Sequence, residues 1–200
     1  IQFWAKRGRL NTEDYIAGQG LNATDLGLQV GFTLSNTFKF GFYSNDLYSP
    51  AYGDIDCHHW ACTYNSTTEA RKIYRDGILV ASDVATANLT SSGDFNIGRA
   101  YPSNPNYFAG SVDDLEIWET ELTQTEIRDW MTRKLNSSHP KFAKLVSYYR
   151  FDDNFGTTIS DLVGGNDGIL TNMDPGSDWG QSGAALGDSS GYTYGGTDIS

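Results

Sequence analysis

The chain has 200 residues, 38% hydrophobic and 20% charged, with 14% aromatics and 22 glycines. This composition excludes a disordered chain, and the length allows one sizeable core. Its 14 basic and 25 acidic residues give a formal charge of −11, which opposes binding to nucleic acid and to anionic membrane surfaces.

Many aromatics and many glycines together point to strands broken by tight turns. Residues 1–6 alternate, with Ile1, Phe3 and Ala5 opposite Gln2, Trp4 and Lys6, which predicts a strand. A short strand is expected over 15–20. Residues 26–34 read LGLQVGFTL and place Leu26, Leu28, Val30, Phe32 and Leu34 on one face. Ser35 and Asn36 then make a hairpin turn into a strand over 37–43. Residues 58–65 form a further strand. Asp76-Gly77 marks a tight turn between strands over 71–74 and 78–82. Short strands are expected at 95–99 and 108–119, with a loop over 101–107 between them.

Thr123 and Glu126 have capping-box spacing, and Leu122 and Ile127 have that of a hydrophobic staple. They predict a helix with Ile127, Trp130, Met131 and Leu135 on one face, ending near Leu135. The strand pattern returns over 145–152. Residues 174–200 are rich in Gly, Ser and Asp and read as turns between short strands, or as partly disordered. No run is long and apolar enough to cross a membrane. Ile1 opens straight into a strand, so no signal peptide is visible. Cys57 and Cys62 lie five apart on one strand and point to opposite faces, which argues against a bridge between them. Sequons start at Asn22, Asn65, Asn88 and Asn136, but an Asn- and Thr-rich chain produces several by chance.

Several phrases resemble the laminin-G-like, concanavalin-A-like jelly-roll family. IQFWAK is similar to its IEFWVKP strand, HHWACTYN to WHHVAVTYD and IYRDGILVAS to LYVDGKLVAS. FNIGRA followed by FAGSVDDLEIWETELTQTEI is similar to its closing strand and capped helix. Four such phrases in the family's order cover residues 1 to about 130. LVSYYRFDDNFGTTISDLVGGNDGIL resembles the family's opening, but follows the helix instead of preceding the first strand. Either this chain holds most of one tandem repeat and the start of the next, or the fold is permuted and 145–200 completes the sandwich begun by 1–135. Termini lie close together in such domains, and a sandwich lacking its first strands exposes an edge, so one domain over 1–200 is the expectation. The implied fold is all-β, an antiparallel jelly-roll sandwich with one short helix.

Calcium takes oxygen ligands from Gly- and Asp-rich loops. The resemblance implies a calcium site that carries over to Asp114, Asp161 and Asn166, and less directly to Asp113. Leu162 and Val163 stand where the family commonly has small polar residues. Asp114, Glu116 and Glu119 resemble the E-x-D-x-x-E triplet of retaining β-glucanases, but with Asp first and Glu in the middle. Such a mechanism needs carboxyls about 5 Å apart, whereas i and i+2 on a strand face lie roughly 7 Å apart. His58 and His59 lack the further ligands that zinc needs, and Cys62 reads as a small buried hydrophobe.

Sugars stack on aromatic faces, so two loops rich in Tyr are candidates for ligand binding: Tyr101, Asn104 and Tyr107 in one, Tyr48 and Tyr52 in the other. The expectation is a secreted or cell-surface binding module, not an enzyme, within a larger multidomain chain. Its partner is a glycan or polysaccharide, or another surface protein, with calcium bound. Nucleic acid and membrane insertion are excluded. A structural adhesion repeat without sugar binding and a diverged glucanase remain the alternatives.

Overall fold

The computed structural model describes residues 1–101, 103–104, 106–180, 184–188, 191–194 and 197–199. Its strands are β1 (Gln2–Arg7), β2 (Asp14–Gly20), β3 (Gly27–Phe32), β4 (Thr37–Gly41), β5 (Asp46–Ala51), β6 (Cys57–Tyr64), β7 (Ala70–Arg75), β8 (Ile78–Val84), β9 (Asn96–Ile97) and β10 (Gly110–Trp118). The helix α1 (Gln124–Trp130) follows. After it come β11 (Leu145–Tyr149), β12 (Thr158–Ile159), β13 (Gly168–Ile169), β14 (Ala185–Asp188), β15 (Gly191–Tyr194) and β16 (Thr197–Ile199).

Two antiparallel sheets form the sandwich. One has the order β11-β10-β1-β6-β7-β8 and the other β5-β4-β3-β2-β9. Alternating residues of both sheets meet in the core: Phe3 and Ala5, Val30 and Phe32, Phe38 and Phe40, Trp60 and Cys62. At its centre Phe38 lies flat on Trp60, with centroids 4.1 Å apart and planes 7° apart. The Phe32 ring stands edge-on to both, 5.2 and 5.5 Å away. Such contacts add about 0.5–1.5 kcal/mol per pair beyond area burial.

A second apolar layer lies on the outer face of the six-stranded sheet. Ala61, Tyr74, Trp118 and Tyr148 from the strands meet Leu122, Ile127 and Leu135 from α1 and its flanks. The helix begins as its sequence requires: Thr123 accepts from the Glu126 amide, and Glu126 accepts from the Thr123 amide. Leu122 and Ile127 are both buried, as a staple demands. The helix ends at Trp130, one turn short of Leu135. The Trp4 indole donates to the Met131 carbonyl at 2.8 Å and holds the chain's exit down on β1. Leu135 then docks outside the helix, its N–H reaching the Tyr148 hydroxyl.

Asp76 and Gly77 have φ of 50° and 71°, the left-handed pair of a type I′ hairpin, and join β7 to β8. Leu26 and Leu34 depart from the expected common face, being 37% and 66% exposed. They lie outside β3, where the pleat no longer sets their direction. Residues 43–52 are not a loop. Tyr43 and Ser44, both at positive φ, make a tight turn, and β5 follows with Leu47 and Ser49 buried. Its Pro50 is tolerated because β5 is an edge strand. Cys57 and Cys62 are both free. The tail holds the small sheet β14-β15-β16, while residues 181–183, 189–190, 195–196 and 200 lie outside the described residues.

The segment that resembles the family's opening supplies β11, which pairs antiparallel to β10 with Leu115 opposite Tyr149. Limited proteolysis is expected to yield no folded fragment ending near residue 144. A protease-resistant, cooperatively melting 1–144 fragment would show that the tail belongs elsewhere.

Candidate functional site

The residues expected to hold calcium fall into two separate arrangements. The Asp161 carboxylate is filled by amides. Oδ1 accepts from the backbone N–H of Tyr148, Val163 and Gly164 at 2.9–3.1 Å. Oδ2 accepts from the N–H of Asn166 at 3.2 Å and from its side-chain amide at 3.4 Å. These donors outweigh partial burial and hold Asp161 down at about 2. Asp114 instead sits under α1, 6% exposed, and accepts from the Tyr148 hydroxyl. Burial and then Asp113 push it up to about 8. Asp113 itself accepts from the Asp114 amide at 3.0 Å. A calcium ion needs six to eight oxygens converging on one point. Here one carboxylate accepts five N–H donors and the other accepts a phenolic hydroxyl. Among the described residues no group of three His, Cys, Asp or Glu side chains is placed to hold a metal. The donor set does not fit calcium in this arrangement.

Glu116 is also buried on the helix side, bonded by the Gln2 amide at 2.5 Å and the Trp118 indole at 2.9 Å. Burial pushes it up to about 7. Glu119 is largely exposed and pairs with Lys144 at 3.0 Å. His58 bridges Asp76 and Asp54 at 2.7 and 3.2 Å. His59 is buried against Trp4, and burial lowers it to about 3, so the ring is neutral.

Of the five ligand candidates, two are exposed. Tyr101 is 0% exposed and therefore belongs to the interior, not to a binding surface. Its hydroxyl donates to Asn22 Oδ1 and accepts from the Gln29 amide. Asn104 is likewise buried and accepts from the Asn106 amide within its own loop. Tyr52 packs on the core with the Arg75 guanidinium 4.0 Å above its ring. Tyr48 and Tyr107 are 47% and 52% exposed.

Tyr48 lies on the outer face of the five-stranded sheet, at the end of a buried polar chain. Its hydroxyl donates to Asp46 Oδ2 at 3.1 Å. Lys39 Nζ reaches the same oxygen at 2.9 Å and donates to Gln29 Oε1 at 2.6 Å. Gln29 continues to Tyr101. The Lys39 ammonium stands 5.9 Å from both the Tyr15 and Tyr48 ring centroids. Burial, followed by the nearby Asp46, pushes the Tyr48 phenol up to about 12. Asp46 Oδ1 fills the space that a side chain at Gly41 would take, 2.2 Å from a Cβ there. Beside Tyr48 a shallow cleft, open to solvent, is lined by Glu13, Thr33, Leu34, Ser35 and Thr37. Glu13 is fixed by the Tyr15 hydroxyl at 2.5 Å and the Asn106 amide at 3.1 Å. The sequence did not single out Glu13, Lys39 or Asp46. Lys39 lies on β4 and Asp46 opens the adjacent β5, whose reading as loop hid their pairing, while Glu13 lies just before β2.

Two packed antiparallel sheets and a capped helix after the closing strand define a concanavalin A-like sandwich. Residues 1–128 match the model of the Laminin_G_3 family, the concanavalin A-like lectin/glucanases superfamily, and the chain belongs to that family. A solved structure similar to it is a candidate carbohydrate-binding protein from Bacteroides ovatus ATCC 8483, with 18% identity and a TM-score of 0.59. That match covers 87% of this chain and 54% of the other, so the chain spans about half of that protein. Another is domain 4 of AbnA, an extracellular GH43 arabinanase from Geobacillus stearothermophilus, in complex with arabinotriose. It has 19% identity and a TM-score of 0.48, and the match covers 64% of this chain and 63% of that one. No curated protein matches.

The buried acids set a pH dependence with a definite sign. Asp114 and Glu116 titrate higher when folded than at their ordinary values of 3.8 and 4.5. Their proton binding therefore favours the fold at low pH, and that stability is lost as pH rises through about 7 and 8. Asp161 acts oppositely, its contribution disappearing as pH falls towards about 2. Urea midpoints are expected to be higher near about pH 5 than near about pH 9, with a flatter profile in Asp114→Asn. A midpoint that rises towards alkaline pH would contradict the burial of these acids. Thermal melts in calcium and in EDTA are expected to coincide; a clear rise in calcium would reinstate the metal.

Proposed function

We propose that this chain is an extracellular carbohydrate-binding module, not an enzyme, acting as one unit within a larger secreted or surface protein. The observation that carries the reading is the exposed Tyr48 ring, held over a buried network beside the cleft at Glu13 and Thr33. Sugar rings present C–H faces that pack on aromatic rings, and hydroxyls that bond to fixed polar groups. Here the ring is oriented from below by Asp46 and Lys39, so little side-chain freedom is lost on binding.

Membership of a lectin/glucanase superfamily and the fold shared with a candidate carbohydrate-binding protein support the same reading. The burial of Asp114 and Glu116 beneath α1 supports binding without hydrolysis, since neither carboxyl is presented to solvent. Calcium has no part in the proposal, because the side chains expected to hold it are engaged by amides and a phenol.

A glycan and polysaccharide array is the direct test. Tyr48→Ala is expected to weaken binding about tenfold, equivalent to ~1.4 kcal/mol. Tyr101→Phe is expected to retain binding while lowering stability by about 1 kcal/mol, through loss of the hydroxyl that serves Gln29 and Asn22. Undiminished binding by Tyr48→Ala would move the site off this face.

A further inference from the structure

The charge of the cleft narrows the class of ligand, granted that this face binds carbohydrate. Its lining residues Glu13, Thr33, Leu34, Ser35, Thr37 and Tyr48 include a carboxylate, three hydroxyl side chains and an aromatic ring, but no lysine or arginine. Lys39 near the Tyr48 ring and Arg9 beside Asp14 are both ion-paired, and Arg7 is buried and bonded to Asn36. Lys39 is only 9% exposed at its side chain and lies between Asp46 and Gln29. Arg9 grips Asp14 through two nitrogens, at 2.6 and 3.1 Å. An anionic polymer arriving here would meet a carboxylate and no lysine or arginine among the lining residues, and it would approach a chain of net charge −11. Glu13 is available in the opposite sense. Tyr15 and Asn106 orient its carboxylate as an acceptor, suited to the hydroxyl donors of a sugar.

We infer that the cleft beside Tyr48 takes an uncharged polysaccharide, with Glu13 accepting from its hydroxyls and turning away sulfated and uronate polymers. The ring supplies the apolar contact and the carboxylate supplies selection by charge. Attraction of this kind does not depend on counterion release, so its strength is insensitive to salt.

The test is affinity electrophoresis and biolayer binding of the whole chain. Neutral probes are arabinan, galactomannan and mixed-linkage glucan. Anionic probes are polygalacturonate, alginate and chondroitin sulfate. All are run at low and high salt. The expected result is retention by at least one neutral polymer, unchanged by salt, and none by the anionic ones. Glu13→Lys is expected to lose several-fold in affinity for the neutral polymer and to gain salt-sensitive retention by the anionic ones. Salt-sensitive binding of an anionic polymer by the unaltered chain would overturn this inference and leave the carbohydrate reading standing. No retention by any polymer would overturn the carbohydrate reading itself. Neutral binding by Glu13→Lys and Glu13→Gln equal to that of the unaltered chain would remove Glu13 from the site.

Discussion

Tyr148 ties together three parts of the chain that are far apart in sequence. Its hydroxyl donates to Asp114 on β10 and accepts from the Leu135 amide beyond α1. Its own backbone N–H donates to Asp161 in the loop after β11. The helix's docked end, the strand beneath it and the segment that follows are thus fixed around one side chain that is 3% exposed. A group so placed has no water to fall back on, so every partner must be present for any of them to be satisfied. This is why the acid under the helix remains protonated near neutrality while the acid in the loop is strongly ionised. One receives a single phenolic hydroxyl in an apolar layer, whereas the other receives five N–H donors.

The sandwich was legible wherever sequence period and turn chemistry agreed. The Thr123–Glu126 box fixes where α1 starts, and Asp76-Gly77 fixes the β7–β8 hairpin, because both signals are local and depend on a few adjacent residues. The helix end was not legible, since the Trp4 indole that holds Met131 comes from 127 residues away. β5 was missed for a related reason. Pro50 and the polar run around it read as loop, and the edge position that tolerates them is a property of the assembled sheet.

The site shows the same limit more sharply. Tyr101 and Tyr107 are equivalent by composition, yet one is buried with its hydroxyl satisfied and the other is half exposed. Likewise Asp161 sits in a turn whose residues suit calcium, but turn and metal make the same demand on sequence: short acidic side chains among glycines. Only the direction of the surrounding N–H groups separates the two, and that is a property of the folded loop.

The two outer faces of the sandwich meet opposite fates. On the six-stranded sheet, α1 and its flanks cover Trp118, Tyr148 and both raised acids, so aromatic and acidic side chains there serve packing. On the five-stranded sheet no helix intervenes among the described residues, and polar side chains buried there satisfy one another. They do so in a line from Asn22 through Tyr101, Gln29 and Lys39 to Asp46, with Tyr48 at its solvent end. A line of this kind neutralises its own charges and holds its terminal ring still. The face whose buried polar groups need such a network is therefore also the face that leaves an aromatic ring, Tyr48, anchored and exposed.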